Sequence, residues 1–247
     1  MPGITIGSGI TLTGGITIVS PVESTYVTSG LQMFWDIGNS SSYPGTGTNI
    51  TDLSGNGRAG TLSGSPVYSS GGITTASSKY IYAPSNFNLG GAWTMSIVSK
   101  TSLTQPQYWA VMWGNEAWSS TGYLAYQPST SSLVFGRPSS SVTWSTTQAA
   151  IQGNNTAWDF TYDGTTVKLY KNGDATPVAS GAMGVATASS AGIFFGARHV
   201  NGGGPTPTDF SATTFYQVRV YNRALTTTEI ADNYTTVKTQ YSALALP

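Results

Sequence analysis

The chain is 247 residues long and holds three Glu, at 23, 116 and 229, none with another acid two residues away. Cleaving a glycosidic bond takes two carboxyls facing each other across it, about 5–5.5 Å apart for retention or 6.5–9.5 Å for inversion. Asp159 and Asp163 are one pair to consider, but Asp163 precedes Gly164, where a carboxylate is favoured as a turn former. The one His, His199, sits in Arg198-His-Val-Asn-Gly-Gly-Gly204, and no Gly-x-Ser-x-Gly elbow precedes a helix to supply a serine nucleophile. Without Cys there is no thiol nucleophile, disulfide or thiolate metal site. The expectation is a protein that is not an enzyme.

Binding chemistry has more material. Asp36 and Asp52 flank one long loop and are candidate calcium ligands, since calcium takes hard oxygen donors from loops. Asp52 also suits an Asx turn over Ser54-Gly55. Trp109, Trp113 and Trp118 fall in one stretch with Asn115, Tyr123 and Tyr126. Exposed aromatic faces stack on sugar rings, and amides bond their hydroxyls. Trp109 and Trp113 alternate onto one strand face and suit a core. Trp118, Asn115, Tyr123 and His199 are therefore the candidate glycan-binding residues.

These residues sit on an unusually neutral background. Charged residues are 8% of the chain, ten basic against ten acidic, where a globular domain carries about a quarter. That excludes an electrostatic footprint for nucleic acid or an anionic membrane. The first Lys or Arg is Arg58, so no basic n-region of a secretory signal stands at the start. Ser and Thr number 32 and 36 and are expected on the outward side of strands and in loops.

A repeat opens the chain: Gly3-Ile-Thr-Ile6, Gly9-Ile-Thr-Leu12, Gly15-Ile-Thr-Ile18. The even spacing of six keeps Ile4, Ile6, Ile10, Leu12, Ile16 and Ile18 on one face of an extended arm. Such a face needs a partner, because an unpaired apolar strand invites association. Pro21 ends the pattern, and Val22 to Gly30 reads as a linker.

From Gly30 onward, short β runs alternate with turn signals. Strands are expected at Leu31–Ile37, Tyr80–Tyr82, Trp93–Lys100, Tyr108–Trp113, Gly122–Tyr126, Leu133–Gly136, Val142–Ser145, Ala157–Tyr162, Thr166–Lys171, Gly192–Ala197 and Thr213–Tyr221. Asp163-Gly164 and Asn172-Gly173 are turns of a meander. Thr226-x-x-Glu229 is a capping box opening one helix, with Ile230, Tyr234 and Val237 as its apolar stripe. The fold class is all-β: a two-sheet antiparallel jelly-roll sandwich over residues 30–247, one short C-terminal helix, and an extended β arm over 1–29.

Gly30-Leu-Gln-Met-Phe-Trp-Asp-Ile-Gly-Asn39, Thr51-Asp-Leu-Ser-Gly-Asn-Gly57, Trp93-Thr-Met-Ser-Ile97, Trp158-Asp-Phe-Thr-Tyr-Asp-Gly164 and Phe215-Tyr-Gln-Val-Arg-Val-Tyr-Asn-Arg-Ala-Leu225 follow one another in order. Together they resemble the laminin-G-like (concanavalin A-like lectin-glucanase) jelly rolls of tailed-phage virion structural proteins. The resemblance implies two stacked sheets of six or seven strands each. It also implies a virion decoration, fibre or tail component, assembled in the host cytoplasm and exposed on the particle. Its arm would bind other virion proteins and copies of itself. Two alternatives stand beside it: a lectin domain for a host-surface glycan, and a glycoside hydrolase.

Overall fold

The computed structural model describes residues 25–83, 91–102, 110–115, 123–127, 132–137, 140–145, 153–182, 193–198, 207 and 209–247. The arm residues Ile4, Ile6, Ile10, Leu12, Ile16 and Ile18 lie outside them. In chain order the strands are β1 (Leu31–Asp36), β2 (Asn49–Ile50), β3 (Gly60–Ser63), β4 (Val67–Ser69), β5 (Gly72–Thr74) and β6 (Tyr80–Ala83). Then follow β7 (Trp93–Ser102), β8 (Ala110–Asn115), β9 (Tyr123–Gln127), β10 (Ser132–Arg137), β11 (Ser140–Ser145) and β12 (Asn155–Tyr162). The last are β13 (Thr166–Lys171), β14 (Ala179–Ala182), β15 (Ile193–Phe195), β16 (Ala197–Arg198), β17 (Asp209–Phe210) and β18 (Ala212–Tyr221), before helix α1 (Thr227–Gln240).

Two antiparallel sheets form the sandwich. Sheet I runs β14-β13-β12-β7-β18-β5-β4, and β1 also pairs with β18. Sheet II runs β11-β10-β9-β8-β15-β6-β3-β2. Among the described residues each has eight strands, more than the six or seven expected. The additional ones are segments such as β2, β4 and β5, two or three residues long, too short for alternation to register. The strand β18 is the hub: its start pairs with β5, its end with β1, and its other edge with β7 throughout.

Alternation sends Met33, Trp35, Met95, Ile97, Trp158, Phe160, Val218 and Val220 of sheet I inward. They meet Ile50, Leu62, Ile81, Ile193 and Phe195 of sheet II. Trp35 and Phe195 meet edge to face at 5.5 Å, and Phe195 and Phe215 at 5.8 Å; each such pair adds about 0.5–1.5 kcal/mol beyond the area it buries. The Trp35 indole N–H donates to the Arg58 carbonyl at 2.9 Å, and its ring lies over Gly60, where no side chain intervenes.

The outer side of sheet I is not solvent. Thr94, Ser96 and Thr161 take the outward side of their strands, as expected, yet they are buried, because that side is covered. Helix α1 covers much of this face, with Ile230, Asn233 and Val237 buried beneath it. Asn233 takes the buried place that the sequence pattern assigns to Tyr234, which is half-buried. Its amide donates to the Tyr221 hydroxyl at 3.2 Å and accepts from the Val27 backbone at 2.9 Å. Residues 25–28, read from the sequence as linker, thus dock on the same face, with Tyr26 and Val27 packed on it.

The helix starts where the capping box places it. Glu229 N–H donates to Thr226 Oγ1 at 3.2 Å, and Thr226 N–H donates back to the Glu229 carboxylate at 2.9 Å. Arg223 adds a two-pronged pair to the same carboxylate at 2.8 and 2.6 Å.

Candidate ligand-binding face

The outer side of sheet II differs in kind from that of sheet I. In β6 the alternation buries Ile81 and Ala83 and turns Tyr80 and Tyr82 outward, both half-buried. In β15 the run Ile-Phe-Phe sends Ile193 and Phe195 into the core and leaves Phe194 under the tyrosines. Tyr82 and Phe194 are direct cross-strand partners with ring centres 5.0 Å apart, and Tyr80 meets Phe194 edge to face at 5.5 Å. Phe210 of β17 lies 6.2 Å from Tyr80. It reaches this face because Gly196, at φ +77°, breaks the strand after β15. A side chain there would strike Thr75, whose hydroxyl donates to the Ser211 carbonyl at 2.7 Å.

Strand register extends the aromatic cluster into a row. Asn49 pairs with Thr61, Thr61 with Tyr82, Tyr82 with Phe194, and Phe194 with Gly114. Asn49 and Thr61 are exposed. An amide, a hydroxyl and two phenols therefore share one surface with a buried benzyl ring beneath. Such a surface offers apolar faces for C–H groups and donors and acceptors for hydroxyls.

Among the residues singled out from sequence, Trp118 and His199 lie outside the described residues. Asn115 and Tyr123 are described only as strand positions in sheet II, where Asn115 pairs with Ile193 and Tyr123 with Gly136. The backbone thus brings both into the sheet that carries the aromatic row. Tyr80, Tyr82 and Phe194 were not singled out. Their signal is the Tyr-Ile-Tyr-Ala alternation, which puts polar-tipped aromatics on the side away from the core.

The acids are committed elsewhere. Asp163 caps the β12–β13 hairpin: one carboxylate oxygen accepts from the Thr165 and Thr166 N–H groups at 2.9 and 2.8 Å and from the Thr165 hydroxyl at 2.9 Å. The two backbone bonds are the main reason its pKa lies below the ordinary value. Asp159 is buried beneath the outer face of sheet I and accepts from Ser96. Burial pushes its pKa up, with Arg219 and the Ser96 hydroxyl opposing.

Asp52 closes the expected Asx turn. Its carboxylate accepts from the N–H groups of Phe34, Ser54 and Arg58, each at 2.9 Å. Asp36 accepts from Tyr241 and Gln240 at the end of α1. The two carboxylates thus serve two separate sets of donors. No group of three His, Asp or Glu gathers as a metal-ligand set among the described residues. No helix among them is long and apolar enough to cross a membrane.

Residues 74–231 match the family model described as the concanavalin A-like lectin/glucanases superfamily. No relative matches among curated proteins. Among solved structures, the chain is similar to domain 4 of a GH43 extracellular arabinanase from Geobacillus stearothermophilus, in complex with arabinotriose. The identity is 19%, the TM-score 0.60, and coverage 83% of this chain and 98% of that one. It is also similar to the ligand binding domain of botulinum neurotoxin serotype D in complex with N-acetylneuraminic acid, at 12% identity and TM-score 0.63. The match covers 85% of this chain and 51% of that one. The binding domain of Paraclostridial mosquitocidal protein 1 matches at 15% identity and TM-score 0.61, over 83% and 52%. The chain spans about half the length of the toxin domains it matches.

Proposed function

The chain belongs to the concanavalin A-like lectin/glucanases superfamily, and on that footing we propose that it is a non-catalytic carbohydrate-binding module whose ligand lies on the outer face of sheet II. One observation carries this reading: Tyr80 and Tyr82 stand half-buried over Phe194, in register with the exposed Thr61 and Asn49. A sugar ring stacks its C–H face on such phenols while the flanking amide and hydroxyl meet its hydroxyl groups. The sugar complexes of the arabinanase domain and the neurotoxin domain support the same ligand class.

The non-catalytic half of the reading rests on the acids. Asp159 is enclosed under sheet I and Asp163 holds a turn, so this pair does not straddle a cleft. A glycan array probed with the full chain tests the binding half. Tyr82→Ala is expected to lower the signal at least tenfold while leaving the far-UV spectrum unchanged. A silent array, or equal signals from wild type and Tyr82→Ala, overturns the reading.

A second role, assembly, rests on the Gly-Ile-Thr hexads of residues 3–18. In that reading the arm joins copies of the chain, or joins it to other virion proteins, and the sandwich is displayed on a particle. The neighbours named above are toxin binding domains and a glycosidase domain, so the virion setting draws its support from the repeat. Deleting residues 2–20 tests it by mass photometry; an unchanged oligomeric state removes the role.

A further inference from the structure

Strand pairing repeats one arrangement twice on the outer face of sheet II. Thr61 of β3 stands directly across from Tyr82 of β6, and Ser63 directly across from Tyr80. Each phenol thus has an aliphatic hydroxyl beside it, and the second pair is displaced from the first by two strand residues, about 6.6 Å. Both phenols pack on the one Phe194 ring, with centres 5.0 Å away for Tyr82 and 5.5 Å for Tyr80. They meet it at different inclinations, 40° and 65°. The two phenol planes are therefore not parallel, and one flat sugar ring cannot lie on both.

Further features extend and fix the pattern. Phe210, half-buried, adds a third ring next to Tyr80 at 6.2 Å. Gly64, at φ +70°, follows Ser63 and packs so close to Ser78 that a Cβ would come within 1.9 Å of its carbonyl oxygen. That contact ties the end of β3 to the approach of β6. Ser63 is thus held beside Tyr80 before a ligand arrives, which leaves little ordering to oppose binding. None of the side chains in this line is charged. A carboxylate laid on it would give up water and gain no cation in return.

A repeated site suits a repeating ligand. We infer that this face binds a run of three consecutive units of a linear, uncharged glycan. One unit lies at Tyr82 and Thr61, the next at Tyr80 and Ser63, and the third over Phe210. The ligand class rests on the carbohydrate reading above; the length and the neutrality go beyond it. Linkage makes the binding of each further unit intramolecular, so affinity climbs with length until the rings are used up.

Ligand-observed NMR titrations of the full chain test this with arabinan, xylan, cellulose and galactan oligomers of one to five units. Oligogalacturonates serve as the acidic probe. In the best-bound neutral series, affinity is expected to rise at least tenfold from one unit to three and to level off after the third. The galacturonate trimer is expected to bind at least tenfold more weakly than the best neutral trimer. Tyr80→Ala should remove the gain from the second unit while a single unit still binds, and Ser63→Ala, which should reduce that gain, serves if Tyr80→Ala does not fold. Phe210→Ala should remove only the gain from the third. A monosaccharide bound as tightly as its trimer, an unchanged length profile in these variants, or galacturonates bound as tightly as neutral oligomers overturns the inference and leaves Tyr82 standing as a sugar site. No binding in any series also overturns it, and a silent glycan array brings down the carbohydrate reading as well.

Discussion

The guanidinium carbon of Arg219 lies 4.4 Å from the centre of the Tyr26 ring, beneath the end of the C-terminal helix. Arg219 is buried and donates to Gln217 at 2.7 Å. Gln217 donates in turn to the Tyr26 hydroxyl at 2.8 Å, and that hydroxyl donates to Gln240 at 2.5 Å. Gln240 and Tyr241 close the chain of contacts on Asp36. One connected set of polar groups thus fastens residue 26, the sheet and the helix together.

Tyr26→Ala removes the ring from Arg219 and both hydroxyl bonds. The expected loss is about 2–4 kcal/mol, the sum of a packing term and lost hydrogen bonds. Tyr26→Phe keeps the ring over the cation and is expected to cost about 1 kcal/mol. Urea unfolding separates them; equal losses would show that the ring over Arg219 contributes nothing.

Acid sensitivity is expected from the helix start. The Arg223 guanidinium bonded to Glu229 holds its carboxyl down to about 2, against about 4.3 in an unfolded chain. A depressed carboxyl contributes stability above its unfolded value, and this is lost as pH falls from about 4.3 towards the folded value. Glu229→Gln keeps the capping geometry and removes the charge. Its unfolding midpoint should be lower than wild type at pH 6 and converge on it near pH 2.

Asp159 carries the opposite sign. Its folded carboxyl is raised by burial, so its contribution is greatest below the ordinary aspartate value of about 3.9 and declines as pH rises. Asp159→Asn keeps a partner for Ser96 and removes the titration. The stability of the variant relative to wild type should therefore climb with pH from about 4 upward. A difference that stays flat across pH 4 to 8 would show that Asp159 does not titrate differently on folding.

Gly60 is set by the core rather than by backbone conformation. An added Cβ would sit 2.8 Å from Cζ2 of Trp35, whose indole is fixed by the Arg58 carbonyl. Gly60→Ala should cost about 1–3 kcal/mol through overpacking. Near-UV circular dichroism of the tryptophans should change with it, and an unaltered spectrum and melting temperature would show that the ring moves freely.

Local signals carried the sequence reading a long way. Thr166–Lys171 is a strand over the expected residues, and Thr226 and Glu229 form the expected capping box, because both are decided within a few residues. The buried polar set was not legible. Ser96, Asp159, Gln217 and Arg219 alternate with apolar residues as on a solvated strand face, and only a helix far beyond them in the chain, at 227–240, makes that face interior. The aromatic row was half legible: alternation placed Tyr80 and Tyr82 in a strand, but their meeting with Phe194 depends on β6 and β15 pairing across more than a hundred residues.

The docking of Tyr26 also gives the molecule a front and a back. Tyr26 and Val27 lie on the helix-covered side, with both sheets between them and Tyr80 and Tyr82. Copies gathered through that side would turn their aromatic faces outward together. Weak contacts with single sugar units would then add up on a glycan-coated surface, through the high effective concentration that tethering creates.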